Sequence, residues 1–168
     1  MNNESQPTGL QRLSLVTGDA IYSDPPLSPD SDRVQFFGQQ EGDPGTMLYS
    51  IPIGLPIGEL VRFFKVGLHN ADVSSRHFPP MKRVLIVAEL VEKIAQLVPC
   101  EVRFITDASL DLRFTRQITE PEWNELVKLF PEAEVMELGL ENYLNEWDGE
   151  QPLLAPVLKE NGLSLWWD

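Results

Sequence analysis

The fold is decided by residues 83–135, which read RVLIVAELVEKIAQLVPCEVRFITDASLDLRFTRQITEPEWNELVKLFPEAEV. Residues 83–98 contain neither glycine nor proline, and valine and isoleucine recur there at helical spacing, which predicts a helix. Residues 101–106 and 110–115 alternate apolar and polar side chains, which predicts a β-hairpin. The rest of the chain has to accommodate this helix and this hairpin.

The charges of the hairpin predict its register. The turn should contain an odd number of residues, because the apolar sets of both strands must face the same way. Centring the turn on Asp107 places Glu101 opposite Arg113. It also places Arg103 opposite Asp111, so that both cross-strand pairs join opposite charges.

A capping box marks a second helix. Thr119 and Glu122 have the Ser/Thr-x-x-Glu spacing that satisfies the first backbone N–H groups of a helix. Trp123 opens an apolar stripe that ends before Pro131, and a short strand is predicted at residues 133–138.

Shorter patterns predict the remaining elements. Alternation indicates strands at residues 10–16, 33–37 and 47–53, and Pro52 places its end of the last strand at a sheet edge. Residues 57–68 carry a helical apolar stripe.

The element order predicts an α+β fold, a single domain with an antiparallel sheet and helices on one face. Residues 46–137 read as strand, helix, strand, strand, helix, strand, which is the order of the split βαβ, ferredoxin-like sandwich. The strands before them would extend this sheet. The domain is expected to cover residues 9–168, after a disordered N-terminus at residues 1–8.

Charge and composition exclude several function classes. The net charge is -13, and residues 117–168 carry 12 acidic and 2 basic side chains, which argues against a nucleic-acid backbone as a direct partner. No apolar run approaches the roughly 18 residues that a membrane span needs. The polar N-terminus lacks a signal-peptide pattern, and the single Cys100 suits a reducing compartment, so a cytoplasmic location is expected.

One loop offers candidate chemistry. His69, Asp72 and His77 could supply three metal ligands, and Ser74 or Ser75 beside a histidine could act as a nucleophile. Neither spacing matches a metal-site or hydrolase signature, and no phosphate-binding glycine loop occurs. A loop without metal is therefore the favoured interpretation, and we expect no cofactor and no catalytic residue. A buried, unreactive thiol is the corresponding expectation for Cys100.

All four tryptophans lie in the acidic C-terminal part of the chain. Adjacent strand residues point to opposite faces, so the neighbours Trp166 and Trp167 cannot both face inward in a strand. Aromatic side chains among acids are typical of a binding surface for a basic partner. The residues predicted to bind the partner are Trp147, Trp166, Trp167, Glu141, Glu146, Asp148 and Glu150.

These features predict a non-enzymatic, acidic protein-binding module that neutralises or escorts a basic partner protein. An immunity protein against a toxin and a secretion chaperone both have this physical profile. One alternative is a small metal-dependent enzyme that uses His69, Asp72 and His77. The other is an inhibitor that mimics nucleic acid, in which the acids imitate phosphates.

Overall fold

The computed structural model describes residues 6–68, 80–129 and 161–166. Within these ranges, six strands form one sheet: β1 (Gln11–Leu15), β2 (Arg33–Gly38), β3 (Met47–Pro52), β4 (Cys100–Ile105), β5 (Ser109–Phe114) and β6 (Gly162–Trp166). The same residues contain three α-helices: α1 (Ile57–Phe64), α2 (Pro80–Leu97) and α3 (Glu120–Val127). A short 3₁₀ helix, Gly18–Tyr22, follows β1.

The strands lie in the order β1-β3-β2-β4-β5-β6. The α+β fold predicted from the sequence is confirmed, but the prediction of an antiparallel sheet is wrong at one pair, since β2 and β4 run parallel. The sheet is therefore mixed. The split βαβ arrangement is not confirmed, because it would place β3 beside β5, whereas β3 lies between β1 and β2.

One face of the sheet packs against the helices. Every second residue of β5 is buried, as the two-residue period of a strand requires when one face is covered. Phe36 of β2 stacks on Tyr49 of β3 with ring centroids 5.5 Å apart, and Phe64 of α1 meets Tyr49 edge to face at 5.3 Å. Trp123 and Leu126 of α3 are buried in the same hydrophobic cluster, as their stripe predicted.

A bulge changes the predicted hairpin. Glu101 does pair with Arg113, but the register shifts between Val102 and Phe104, so Arg103 is an extra residue. With this extra residue in β4, a two-residue turn still leaves the buried side chains of both strands on one face of the sheet. The turn therefore does not need an odd number of residues. Arg103 stays on the face opposite the helices, as its alternation with Val102 requires, while Val102 and Ile105 are both buried.

The Pro52 end of β3 lies at an edge, as predicted, although the strand as a whole is interior. Pro52 ends the strand opposite Arg33, beyond Ser50, where the pairing with β1 starts. A proline at a strand end removes no ladder hydrogen bond, so β3 can be an interior strand.

The capping box of α3 forms as predicted. The Thr119 hydroxyl accepts a hydrogen bond from the Glu122 N–H at 3.4 Å, and the Glu122 carboxylate accepts one from the Thr119 N–H at 3.3 Å. Arg116 donates two further bonds to Glu122, and the hydrogen bond from Arg116 is the main cause that lowers the pKa of Glu122 to about 2.

Some predicted segments lie outside the described residues. These are the strand at residues 133–138 and most of the segment expected to be disordered, residues 1–8, of which residues 6–8 enter a turn closed by the Leu10 N–H and the Pro7 carbonyl at 3.1 Å. Within the described ranges, none of the helices has the length and apolar character needed to cross a membrane.

Candidate functional site

A segment that we call the acidic strap, residues 17–32, connects β1 to β2. It contains four aspartates and no lysine or arginine. Its contacts include two arginines, Arg103 and Arg113, that project from the face of the sheet opposite the helices. The acidic strap therefore covers part of that face.

Two arginines fix the acidic strap to the sheet. The Arg103 guanidinium donates from Nη2 to the carbonyl oxygens of Ile21 at 3.1 Å and Ser23 at 2.9 Å. It also lies 3.4 Å from Asp111, which balances part of its charge. Arg113 forms an ion pair with Asp24, and Arg103 lies 3.7 Å from the same carboxylate. Arg103 alternates with the buried Val102, so it lies on the face of the sheet opposite the helices, where the strap runs.

Asp24 remains ionised in this arrangement. The hydrogen bond from Arg113 is the main cause that lowers the pKa of Asp24. Burial is the next-largest effect and opposes it, and the positive charges of Arg113 and Arg103 lower this pKa further. The clamp is therefore intact at neutral pH.

The acidic strap presents two large apolar side chains to solvent. Tyr22 is 79% exposed and Leu27 is 95% exposed. Single exposed apolar residues are common on protein surfaces, but these two lie five positions apart, among prolines and aspartates, on a segment held by its backbone. A fixed tyrosine and leucine within an acidic surface can contact a partner with little loss of conformational entropy.

A pocket of about 340 Å³ lies at the end of the sheet where β4 begins and α1 starts. Its walls are mostly aliphatic, and the lining residues with polar side chains are Glu92, Glu101, Thr115 and Cys100. Burial, together with the nearby charges of Glu92 and Glu101, raises the pKa of Cys100 to about 12. The thiol is therefore neutral at physiological pH, in agreement with an unreactive cysteine.

Glu92 also caps a helix from a distance. Pro56, at the N-cap of α1, has no side chain able to accept a hydrogen bond from the first turn. The Glu92 carboxylate of α2 takes this place and accepts the Gly58 N–H at 2.5 Å. Its charge also faces the positive end of the α1 dipole. One oxygen of Glu92 is thus committed to the fold.

Most residues predicted from the sequence to form a site lie outside the described residues. This applies to the candidate metal ligands and to all predicted partner-binding residues except Trp166, whose backbone pairs with Ser109 in the sheet. Among the residues that the structure describes, no three histidine, cysteine, aspartate or glutamate side chains lie close enough to hold a metal ion.

Sequence reasoning missed the acidic strap as a site. Residues 24–32 form a stretch rich in proline, serine and aspartate, which is typical of a loop. The aromatic residues that the sequence indicated as a binding surface were the tryptophans of the acidic C-terminal part. The available signal was Tyr22 immediately before that loop. What the sequence did not indicate is that Arg103, some 80 residues away, fixes this loop in place.

Comparison with known proteins adds no relative: no protein-family model, curated protein or solved structure matches this chain significantly.

Proposed function

We propose that this protein is a non-enzymatic binding module for a basic protein partner, which it neutralises or escorts. The observation that carries the proposal is the acidic strap, where Tyr22 and Leu27 are exposed among aspartates on a segment clamped by Arg103. Tyrosine in such a setting is frequently a binding hot spot of protein interfaces. The surrounding carboxylates suit a partner rich in lysine and arginine.

The distribution of charge supports a basic partner. The described ranges contain 15 acidic and 11 basic side chains, and the remaining residues contain 11 and 2. Six arginines form hydrogen bonds or ion pairs with carboxylates, carbonyls or a hydroxyl of the same chain: Arg12, Arg33, Arg83, Arg103, Arg113 and Arg116. Their positive charge is held by internal partners, which favours attraction of basic proteins over binding of phosphates.

The mechanism would be occlusion. Long-range attraction between the acidic chain and the basic partner would speed their encounter, and Tyr22 and Leu27 would then supply contact area that leaves water. A partner whose basic surface is covered in this way could not use it for its own target. The prediction that Trp147, Trp166, Trp167 and their acidic neighbours contribute to the same interface stays part of this proposal. So does a cytoplasmic location, which rests on the single Cys100.

Site-specific crosslinking can identify the partner and test the acidic strap together. A photoreactive amino acid at Leu27 should capture a basic protein in native lysate, whereas the same group at Leu85 of α2, which is 53% exposed, should not. With the purified partner, Tyr22→Ala should weaken binding about 30-fold, because truncating such a centre costs ~2 kcal/mol. Titration at low and moderate salt should show weaker binding at the higher concentration.

Matched variants separate the acidic strap from the rest of the surface. Met81→Ala and Leu85→Ala remove exposed apolar side chains from α2 and should leave the affinity unchanged. Arg103→Ala removes the clamp but none of the proposed contacts, so a loss of affinity there would show that the fixed conformation matters. If Tyr22→Ala and the α2 variants bind the partner equally well, the acidic strap is not the interface; if no stoichiometric partner is captured from any position, the proposal is wrong.

A further inference from the structure

The pocket at the start of β4 has walls suited to an aliphatic chain. Ile51, Leu55, Ala95 and Val102 contribute to a lining that is mostly apolar, and the volume of about 340 Å³ is at the lower end of ligand pockets. The pocket is open to solvent on one side, and Ile53 at its rim is 61% exposed. An occupant could therefore enter without any movement of the backbone.

All charged groups that line this pocket are negative. Glu92 lies half-buried on α2 and Glu101 lies exposed on β4, and no lysine, arginine or histidine is among the described residues of the lining. An anionic occupant would be repelled, and a neutral one would gain no electrostatic attraction from the carboxylates. The ligand that best matches both the apolar walls and the negative charge of this pocket is an aliphatic chain that ends in a cation.

The pocket is linked to the acidic strap through one strand pair. Glu101, on the rim, lies opposite Arg113 in the β4–β5 ladder, and Arg113 holds Asp24 of the strap. A partner seated on the acidic strap would therefore enter the pocket by reaching round the end of the sheet at Glu101.

We propose that the pocket receives a lysine side chain of the basic partner. This inference rests on the proposed function and names one anchor of that interface. The four-carbon stem of lysine would pack against the aliphatic walls while its ammonium group met the carboxylates. Arginine fits less well, since its planar guanidinium binds carboxylates through two parallel bonds and one oxygen of Glu92 already accepts the Gly58 N–H.

The free protein can be tested with blocked amino acids, without any partner. N-acetyl-lysine-N-methylamide should shift the backbone amide NMR signals of Gly54, Leu55 and Cys100, which line the pocket. Its affinity should exceed that of the norleucine analogue, which keeps the stem but lacks the charge, by about tenfold at low salt. The arginine analogue should bind more weakly than lysine, and the glutamate analogue should cause no shifts there.

Two variants make the test specific. Ala95→Leu fills the pocket from α2 and should abolish the shifts, whereas Gln96→Leu adds the same side chain at the exposed neighbouring position and should not. Glu101→Gln, at an exposed site that tolerates substitution, should reduce the preference for lysine over norleucine. Equal affinities for lysine and norleucine, or shifts that persist in Ala95→Leu, would overturn the inference.

The outcomes also separate this inference from the proposed function. If the lysine probe fails while Tyr22→Ala still weakens partner binding, the pocket is not an anchor and the proposed function stands. If the probe binds the pocket and no partner is captured, the lysine site is supported as a site for aliphatic cations, and its assignment to a protein partner falls with the proposed function.

Discussion

Replacing Asp43 by alanine should lower the free energy of unfolding by about 3 kcal/mol. The Asp43 side chain is only 2% exposed, and its carboxylate accepts hydrogen bonds from the Gln40 N–H at 2.9 Å, the Tyr49 hydroxyl at 2.7 Å and Arg12 at 2.7 Å. Tyr49 is buried, and Gln40 Oε1 lies 3.5 Å from its hydroxyl, too far to replace the lost acceptor. Urea unfolding monitored by tryptophan fluorescence would measure the change.

Asp30→Ala is the matched control. Asp30 is exposed on the acidic strap, and removing its charge from a chain with a net charge of -13 should be neutral or slightly stabilising. Tyr49→Phe removes one hydroxyl from the same network and should cost about 1 kcal/mol. If Asp43→Ala and Asp30→Ala unfold at the same urea concentration, Asp43 does not hold the loop between β2 and β3.

The same carboxylate should make the protein sensitive to acid. Burial opposes ionisation of Asp43, but the hydrogen bonds from the Gln40 N–H, Tyr49 and Arg12 outweigh it and hold the pKa of Asp43 below its ordinary value. A lowered folded-state pKa stabilises the fold fully above the unfolded value, near pH 4, and this contribution is lost as the pH falls through the folded value. The stability difference between the native protein and Asp43→Asn should therefore be largest near pH 7 and shrink below about pH 4. A constant difference down to pH 3 would contradict this role.

Local signals predicted the elements of this fold well. The capping box needs only Thr119 and Glu122, three residues apart, and both of its hydrogen bonds form. The helix expected at residues 83–98 is observed as Pro80–Leu97. It could be predicted because its apolar spacing and its flanking prolines lie within one short segment.

Non-local contacts explain where the predictions failed. An odd number of turn residues is required only when both strands are regular. The bulge at Arg103 makes β4 irregular, so the predicted turn length was wrong. Arg103 was expected opposite Asp111, but Phe104 takes that place, and the two charges meet at 3.4 Å as an ion pair instead. Nothing near Arg103 in the sequence indicates that its other partners are the carbonyls of Ile21 and Ser23.

The candidate site was only partly predictable for the same reason. An acidic surface with aromatic residues was predicted from composition, which counts residues but does not show which side chains are exposed. Trp123 is 1% exposed, as its helical stripe predicted, whereas no sequence pattern indicated that Tyr22 would be 79% exposed. Exposure at Tyr22 depends on where the sheet holds the acidic strap, and that follows from pairings across the whole chain.

Gly162→Ala should destabilise the protein as strongly as the loss of Asp43, by about 3 kcal/mol or more. A Cβ at this position would lie 2.5 Å from the backbone carbonyl oxygen of Leu112 on β5, closer than a methyl group can approach. The obstacle is backbone, so β6 must move away from β5 to relieve it. Leu163 and Leu165, which are 2% and 0% exposed, would then lose part of their burial.

The control is Gly45→Ala, where the added Cβ would meet only the end of the Leu15 side chain at an ordinary 3.4 Å. Both variants make the same chemical change, so a difference in unfolding midpoint measures the steric conflict with β5. If Gly162→Ala is as stable as Gly45→Ala, β6 is not paired as closely as the register indicates.

Because β6 leads directly into Trp167, the pair of variants also tests whether the C-terminal residues need an anchored strand to bind a partner. A partner that binds Gly45→Ala normally and Gly162→Ala weakly would place part of the interface at this end of the sheet.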